Sequence, residues 1–387
     1  MKKLKREPLS LRFSFCLAAP RGKFGKTLCF FCGAWYNDGE NFFGVCKMIY
    51  QNIEFFNIAE IKDGRLSRFP FGVVDRMQVP VFGEDGKQTE IYTGHRGNAL
   101  AMTGAELRFV AQARSAAVRL ACDGPLRVTV YCGDFYLSSA LYPAGEHRVS
   151  FERPAAADGV ARERCGRFSP FVWRVCLDGI CNVRFLGLDA EGEVRPPREN
   201  EAPRCKLLAY GSSITQGFVT PYARLNYISA AAEALGIDIL NKGIAGGCFC
   251  ENETAEYLCG ETFDAAYIEA GTNIADRPFD VIEERLGGLL DRLCGAFPDK
   301  KIFLATPFPA FSDVSASAPF YKENFAKTRK VISERAEKYP NAVLIDAHAL
   351  ADKDYYLSAD ILHPSDYGHV MIGLNLAKAL SPYIGKR

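Results

Sequence analysis

Two adjacent serines, Ser212 and Ser213, follow a short apolar run in the middle of the chain. The run Leu207–Tyr210 predicts a buried strand, Gly211 predicts a tight turn, and Thr220–Leu235 can form a helix. A strand, a sharp turn with serine and a helix together present a hydroxyl nucleophile at the carboxyl edge of a sheet. Because a hydroxyl is a weak nucleophile alone, a base and donors for an oxyanion must come from elsewhere.

Three later segments place polar groups after predicted strands or before the last helix. A glycine-rich turn containing Gly246 follows one strand, and Asn273 follows the next. Asp360 and His363 lie three residues apart near the C-terminus. The carboxyl ends of parallel strands meet at one edge of a sheet, so we expect these groups to lie near the serines. Acyl transfer needs a nucleophile, a base, a group that orients the base and donors for the oxyanion.

The four segments resemble, in order, the four sequence blocks of the SGNH (GDSL-type) hydrolases. The matching stretches are Gly211-Ser212-Ser213, Gly246, Gly271-Thr272-Asn273 and Asp360–His363. Each motif is weak alone, whereas four in the right order are specific. The resemblance covers residues 205–385 and implies a flavodoxin-like three-layer α/β/α domain.

The resemblance also implies a role for each matching residue. Ser213 would be the nucleophile and, through its backbone N–H, the first oxyanion donor. The Gly246 N–H and the Asn273 amide would be the other two donors. His363 would be the general base, oriented by Asp360.

The chain departs from the family pattern at two positions. Ser212 stands where the family has Asp, which raises the question of which serine attacks. The register counted back from Ile214–Gly217 favours Ser213, with Ser212 as the alternative. Ile274 stands where many members have Asp, and we expect little loss from it because the donor is Asn273. A phosphate cradle is a weaker interpretation, since the lysine of a P-loop is missing.

The implied activity is that of a serine esterase that needs no metal or organic cofactor. By analogy with similar two-domain enzymes, the expected substrate is a small acyl ester, such as an O-acetyl group on a carbohydrate. The expected partner is therefore a small-molecule or oligosaccharide ester, and the oligomeric state stays open. The alternatives are a lipase, thioesterase or acyltransferase for longer acyl chains, or an inactive carbohydrate-binding protein.

The elements that position these residues alternate between strand and helix after Cys205. This pattern predicts a doubly wound parallel sheet with helices on both faces, over residues 205–387. The predicted strands are Lys206–Tyr210, Ile237–Asn241, Ala265–Ala270, Lys301–Thr306 and Ala342–Ile345. The predicted helices are Tyr222–Leu235, Glu253–Leu258, Pro278–Ala296, Pro319–Tyr339 and Asp366–Leu380.

Residues 48–190 contain many short apolar stretches separated by turn residues, with almost no helical period. This pattern predicts an all-β sandwich of the jelly-roll type, which also resembles the domain that precedes the hydrolase domain in a bacterial subgroup of the family. The charged stretch 191–204 predicts a linker or surface crossover. Residues 1–47 lack a clear period, and we expect either a poorly packed extension or a natural start at Met48.

Composition limits the classes of partner. A formal net charge of +1 gives no basic field for nucleic acid, and no apolar stretch is long enough to predict a membrane span. The 14 cysteines predict buried free thiols in a reducing compartment. Pro8 and Arg12 interrupt what would be the apolar part of a signal peptide, so we expect a cytoplasmic protein. The pair Cys29 and Cys32 is interpreted as incidental spacing.

Several other residues could do chemistry, but a structural role is favoured for each. We expect the histidines other than His363 to be structural or to lie in surface turns, the two thiols after the glycine-rich turn to be buried, and the aromatic residues of the sandwich to be core. The residues concerned are His95, His147, His348, His369, Cys248, Cys250, Trp173 and Tyr136.

Overall fold

A computed structural model describes residues 47–82, 88–314 and 320–384. The predicted N-terminal extension, apart from Lys47, and the pair Cys29 and Cys32 lie outside the described residues. No helix among the described residues is long and apolar enough to cross a membrane.

The N-terminal part of the described chain consists mainly of short strands, as the sequence predicts. In chain order they are β1 (Ile49–Tyr50), β2 (Ile53–Phe56), β3 (Glu60–Lys62), β4 (Arg65–Ser67), β5 (Val79–Phe82), β6 (Gln88–Tyr92), β7 (Ala105–Ala111), β8 (Ser115–Cys122), β9 (Leu126–Cys132), β10 (Phe135–Tyr142), β11 (Gly145–Glu152), β12 (Trp173–Asp178), β13 (Val183–Ala190) and β14 (Val194–Arg195). Short helices interrupt them at α1 (Phe71–Arg76), α2 (Arg96–Ala99), α3 (Ala155–Asp158) and a 3₁₀ turn at Arg162–Arg164.

Two antiparallel sheets form the sandwich. One has the order β1-β2-β7-β12-β9-β10, with β14 paired to β7, and the other has the order β11-β8-β13-β4-β3. Their inner faces share one apolar core, because strands such as β7 and β8 alternate inward and outward side chains. Trp173 is buried in this core against Phe151, with ring centroids 4.7 Å apart, as expected. Tyr136 is exposed, so the expectation that it is a core residue is wrong.

The C-terminal part has a five-stranded parallel sheet. Its strands are β15 (Lys206–Gly211), β16 (Asp238–Asn241), β17 (Ala265–Glu269), β18 (Ile302–Ala305) and β19 (Ala342–Ile345). The order is β16-β15-β17-β18-β19, which is the doubly wound order of flavodoxin-like folds. The predicted fold class is therefore confirmed: a three-layer α/β/α domain preceded by a β-sandwich.

Helices cover both faces of the parallel sheet. They are α4 (Ser213–Gln216), α5 (Tyr227–Leu235), α6 (Asn252–Gly260), α7 (Phe279–Ile282), α8 (Gly288–Ala296), α9 (Phe311–Val314), α10 (Phe320–Lys338), α11 (Ala347–Leu350) and α12 (Asp366–Leu380), with 3₁₀ turns at Ala223–Leu225 and Asp354–Tyr356. Two predicted helices differ in detail. The first half of Tyr222–Leu235 is a 3₁₀ turn, because the Asn226 side chain accepts a hydrogen bond from Ile228 N and starts α5 only there. A π-helical segment, Glu283–Gly287, joins α7 to α8.

The two parts share buried contacts. Arg108 of β7 makes a bidentate ion pair with Asp238 of β16, with Nη2 2.9 Å from Oδ1. The Arg68 guanidinium donates to the carbonyl oxygens of Asn241 and Gly243 at 2.8 and 3.1 Å. Phe69, two residues before α1, belongs to the same apolar cluster as residues of α6 and α8. The sandwich thus packs directly behind the segment that contains the predicted glycine-rich turn.

The segment between the two parts follows the surface of the sandwich. In the predicted linker 191–204, β14 pairs with β7, and Glu201 accepts two hydrogen bonds from the Arg195 guanidinium at 2.7 and 2.8 Å. The strand pairing anchors the segment on the sandwich, and the Arg195–Glu201 bonds hold the segment's own conformation. The domain boundaries at 47/48, 190/191 and 204/205 stay predictions.

Candidate active site

The turn after β15 holds the two candidate nucleophiles. Ser212 caps α4, since its Oγ accepts a hydrogen bond from Ile214 N at 3.2 Å. Ser213 is therefore the first residue of a helical turn, and the turn ends at Gly217 with φ of 95°. Left-handed backbone of this kind costs glycine little, which explains why the stretch ends in glycine.

Ser213, and not Ser212, lies beside His363. The Ser213 Oγ is 2.8 Å from His363 Nε2, and the His363 Nδ1 is 2.7 Å from Asp360 Oδ2. These distances connect a hydroxyl, an imidazole and a carboxylate in one hydrogen-bonded chain. Such a chain can move the serine proton to the imidazole during attack on a carbonyl.

The loop before α12 holds Asp360 in place. Its Oδ1 accepts hydrogen bonds from the backbone N–H groups of Leu362 and His363, each at 3.0 Å, and from Ser358 Oγ at 2.8 Å. Burial of the Asp360 carboxyl opposes its ionisation, but the bonds from His363, Ser358 and Leu362 outweigh burial and lower its pKa to about 2. The aspartate is therefore ionised at neutral pH and can stabilise a protonated imidazole.

Ser212 points away from His363, into the protein. It is fully buried, and both its N–H and its hydroxyl donate to Glu269 Oε2 at 2.9 and 2.7 Å. The Thr215 hydroxyl donates to the same oxygen at 3.0 Å. The Glu269 side chain of the neighbouring strand β17 therefore lies under the nucleophile turn. It binds Ser212, which stands where the family has aspartate.

The glycine-rich turn and the loop after β17 contain Gly246 and Asn273, the two residues predicted as further oxyanion donors. The Asn273 Oδ1 accepts a hydrogen bond from Cys248 N at 3.1 Å, which leaves its NH₂ group free to donate elsewhere. Gly246 is exposed, while its neighbours in the stretch Asn241–Glu251 are all buried. The Gln216 side chain of α4 accepts from Ala245 N and so ties the glycine-rich turn to the nucleophile turn.

The other histidines have structural partners. His369 is fully buried in α12 and stacks on Tyr227, and burial lowers its pKa to about 4. The His348 Nε2 lies 2.8 Å from Arg329 Nη2, and the His147 Nε2 lies 2.7 Å from Pro143 O. His95, expected at the surface or in a turn, lies in the turn before α2, but it is fully buried and its Nε2 is 2.9 Å from Glu251 Oε1.

The remaining sequence candidates are part of the core or the surface. Cys248 and Cys250 are buried free thiols, as expected, and burial raises the pKa of Cys248. Ile274 is fully buried in the apolar cluster behind the site. Among residues 47–82, 88–314 and 320–384, no group of three or more His, Cys, Asp or Glu residues could hold a metal ion.

Sequence reasoning missed three residues at this site. Glu269 reads as part of a strand, and only the parallel pairing of Gly211 with Glu269 brings it under the serine turn. Phe218 is exposed, with its ring centroid 4.8 Å from that of His363. Its position directly after the block Gly211–Gly217 was the available signal. Asn98 comes from the N-terminal part and donates to Ala245 O, a contact that no local pattern indicates.

Comparison with known families agrees with this geometry. The sequence profile of the GDSL-like Lipase/Acylhydrolase family matches residues 209–371. This part of the chain is a GDSL-like lipase/acylhydrolase domain. Its fold and family are those of SGNH-type serine esterases. A search of curated protein sequences gives no match to the chain.

Several solved structures have a similar fold over most of the chain. The salicylyl-acyltransferase SsfX3 from a tetracycline biosynthetic pathway aligns with a TM-score of 0.66 at 16% identity, over 86% of this chain and 94% of that one. A family two carbohydrate esterase from Cellvibrio japonicus aligns with a TM-score of 0.56 at 14% identity, over 87% and 96%. The Clostridium thermocellum family two carbohydrate esterase, solved with cellohexaose, aligns with 0.52 at 14% identity, over 72% and 92%. At these identities the likeness establishes the shared fold.

Proposed function

We propose that the protein is a serine esterase that hydrolyses small acyl esters, O-acetyl esters of a carbohydrate in particular, through Ser213, His363 and Asp360. The observation that carries this proposal is the continuous chain of short contacts: Ser213 Oγ to His363 Nε2 at 2.8 Å, and His363 Nδ1 to Asp360 Oδ2 at 2.7 Å. The match to the acylhydrolase family supports the reaction class.

The first half of the proposed reaction forms an acyl-enzyme. The Ser213 Oγ attacks the ester carbonyl carbon while its proton passes to His363 Nε2. The ionised Asp360 accepts a hydrogen bond from His363 Nδ1 and so stabilises the imidazolium. The negative carbonyl oxygen receives hydrogen bonds from the N–H groups of Ser213 and Gly246 and from the Asn273 amide. The tetrahedral intermediate then expels the alcohol, which takes the proton from His363.

In the second half, water replaces the alcohol. His363 takes a proton from water, the hydroxide attacks the acyl carbon, and the same donors hold the second oxyanion. The acid leaves and the proton returns to Ser213. No step needs a group beyond these residues, the ester and water.

The proposed substrate class rests on two observations. The fold is shared with carbohydrate esterases, one of which was solved with cellohexaose. Phe218 is exposed next to His363, so its ring offers an apolar face to the part of a substrate that reaches the imidazole. An acyltransferase is the second candidate, because SsfX3 shares the fold over most of both chains. It would differ only in the acceptor that replaces water in the second half.

Ser213→Ala tests the nucleophile. The variant should lose labelling by a fluorophosphonate probe and lower kcat for p-nitrophenyl acetate by about 10⁴-fold or more, because its attacking oxygen is gone. Ser212→Ala is the matched control one residue away, and it should keep labelling. Labelling of Ser213→Ala, or hydrolysis at the wild-type rate, would show that the assignment is wrong. Acyl esters from acetate to octanoate, acetylated oligosaccharides and alcohol acceptors then separate the candidate substrates.

A further inference from the structure

The orientation of the Gly246 N–H depends on a β-turn. Ile244–Gly247 form this turn, in which Gly247 N donates to Ile244 O at 3.0 Å. Gly246 is its third residue and has φ of 59°, whereas Ala245 has no positive φ. A positive φ at the third position alone is the pattern of a type II turn. Glycine adopts it without strain.

Type I and type II turns differ in the orientation of the central peptide, here the one that joins Ala245 to Gly246. That peptide is planar and trans, so its C=O and N–H point in opposite directions. The direction of the Gly246 N–H is therefore fixed by whatever holds the Ala245 carbonyl. A flip of this peptide would turn the N–H away from its present side without moving the rest of the loop.

Asn98 holds the Ala245 carbonyl. Its Nδ2 donates to Ala245 O at 2.7 Å, across 147 residues of chain. Asn98 lies in α2 of the N-terminal part, and its own backbone oxygen accepts from Arg68 Nη2 at 3.2 Å. Near it, the buried pair of His95 with Glu251 joins α2 to the end of the same loop. The donor is thus fixed before any substrate binds.

We propose that Asn98 is a positioning residue for catalysis: it keeps the Ala245–Gly246 peptide in the orientation that presents the Gly246 N–H to the oxyanion. This rests on the proposed function, in which Gly246 is an oxyanion donor. Asn98 itself does not touch the reacting atoms. The N-terminal part of the chain thereby contributes to catalysis through one hydrogen bond to the hydrolase domain.

Asn98→Ala and the isosteric Asn98→Asp remove the donor. A single hydrogen bond to the carbonyl biases the turn by a modest factor, so kcat and kcat/KM for p-nitrophenyl acetate should both fall by roughly 3–10-fold with KM nearly unchanged. Inhibition by phenylboronic acid, whose serine adduct has a tetrahedral oxyanion, should weaken by the same factor. A merely structural residue would lower thermal stability without this selective loss.

Asn375→Ala is the matched control. Its Nδ2 donates to Leu350 O at 2.8 Å from an equally half-buried position, and it should leave kcat and boronate inhibition unchanged. Asn98 variants that fold with wild-type kcat, or that change KM alone, would overturn the inference. If the Asn98 variants give that result while Ser213→Ala abolishes hydrolysis, the role of Asn98 is wrong and the proposed function stands. If Ser213→Ala keeps hydrolysis, the proposed function itself has failed.

Discussion

The buried carboxyl of Glu269 offers a quantitative test of how the nucleophile turn is held. Its Oε2 receives three hydrogen bonds: from Ser212 N at 2.9 Å, from Ser212 Oγ at 2.7 Å and from Thr215 Oγ1 at 3.0 Å. Burial raises the pKa of Glu269, and the bonds from Ser212 and Thr215 oppose that rise. The Glu269 carboxyl therefore holds the nucleophile turn through these bonds, although its burial is unfavourable.

Glu269→Leu should be strongly destabilising. It leaves the Ser212 N–H as a buried donor without a partner, which costs about 1–3 kcal/mol, and it removes two hydroxyl bonds that contribute about 0.5–1.5 kcal/mol each. The Thr215 hydroxyl can still bond to Tyr227 OH at 2.8 Å, so the contribution lost with its bond to Glu269 lies at the low end of that range. The expected decrease in the free energy of unfolding is about 2–5 kcal/mol, measured by urea denaturation at pH 7.

Glu269→Gln is the matched control. It keeps one oxygen to accept from Ser212, and its NH₂ group faces Thr272 Oγ1, which lies 3.5 Å from Glu269 Oε1. It should therefore stay within about 1 kcal/mol of the wild type in free energy of unfolding. The free energy of unfolding and kcat should both decrease in the order wild type, Glu269→Gln, Glu269→Leu. A Leu variant as stable as the Gln variant would refute the argument that these three bonds hold the turn.

Two further predictions concern buried ionisable groups away from the reacting atoms. The pKa of His369 is lowered to about 4 by burial, from an ordinary value of 6.5, so unfolding takes up a proton between these values and the free energy of unfolding should fall as the pH drops from 6.5 towards 4. Denaturation at several pH values should show a shallower fall in the free energy of unfolding for His369→Asn than for the wild type, and an equal fall in the two proteins would contradict the assignment. Asp238→Ala should lower the free energy of unfolding by about 3 kcal/mol, because Arg108 would lose its bidentate partner but keep Glu106, whose Oε2 accepts from Arg108 Nε at 2.7 Å. Asp238→Asn should lose less, and equal urea midpoints for all three proteins would show that the pair does not join the two parts.

Much of the fold can be predicted from local patterns. Short apolar runs bounded by turn residues indicate the sandwich strands, and the change to alternating strands and helices after Cys205 indicates the parallel sheet. Helix α1 and the register of β5 with β6 were not predicted, because α1 has only six residues and its buried Val73 and Val74 face the hydrolase domain. A six-residue segment is too short to show a helical pattern of apolar residues, so its conformation depends on the surface against which it packs.

The sequence by itself determined the candidate chemistry: two serines in a strand–helix turn, an Asn and a glycine-rich turn after the next strands, and an Asp and a His near the end. It could not choose between the serines from the residues alone. Only the tertiary structure brings His363 to Ser213 across 150 residues of chain, while the Ser212 hydroxyl donates to Glu269. It also placed His95 in the interior and Asn98 against Ala245. Local periodicity specifies elements, whereas the partner of a buried polar group depends on which elements pack together, and only the folded chain fixes that.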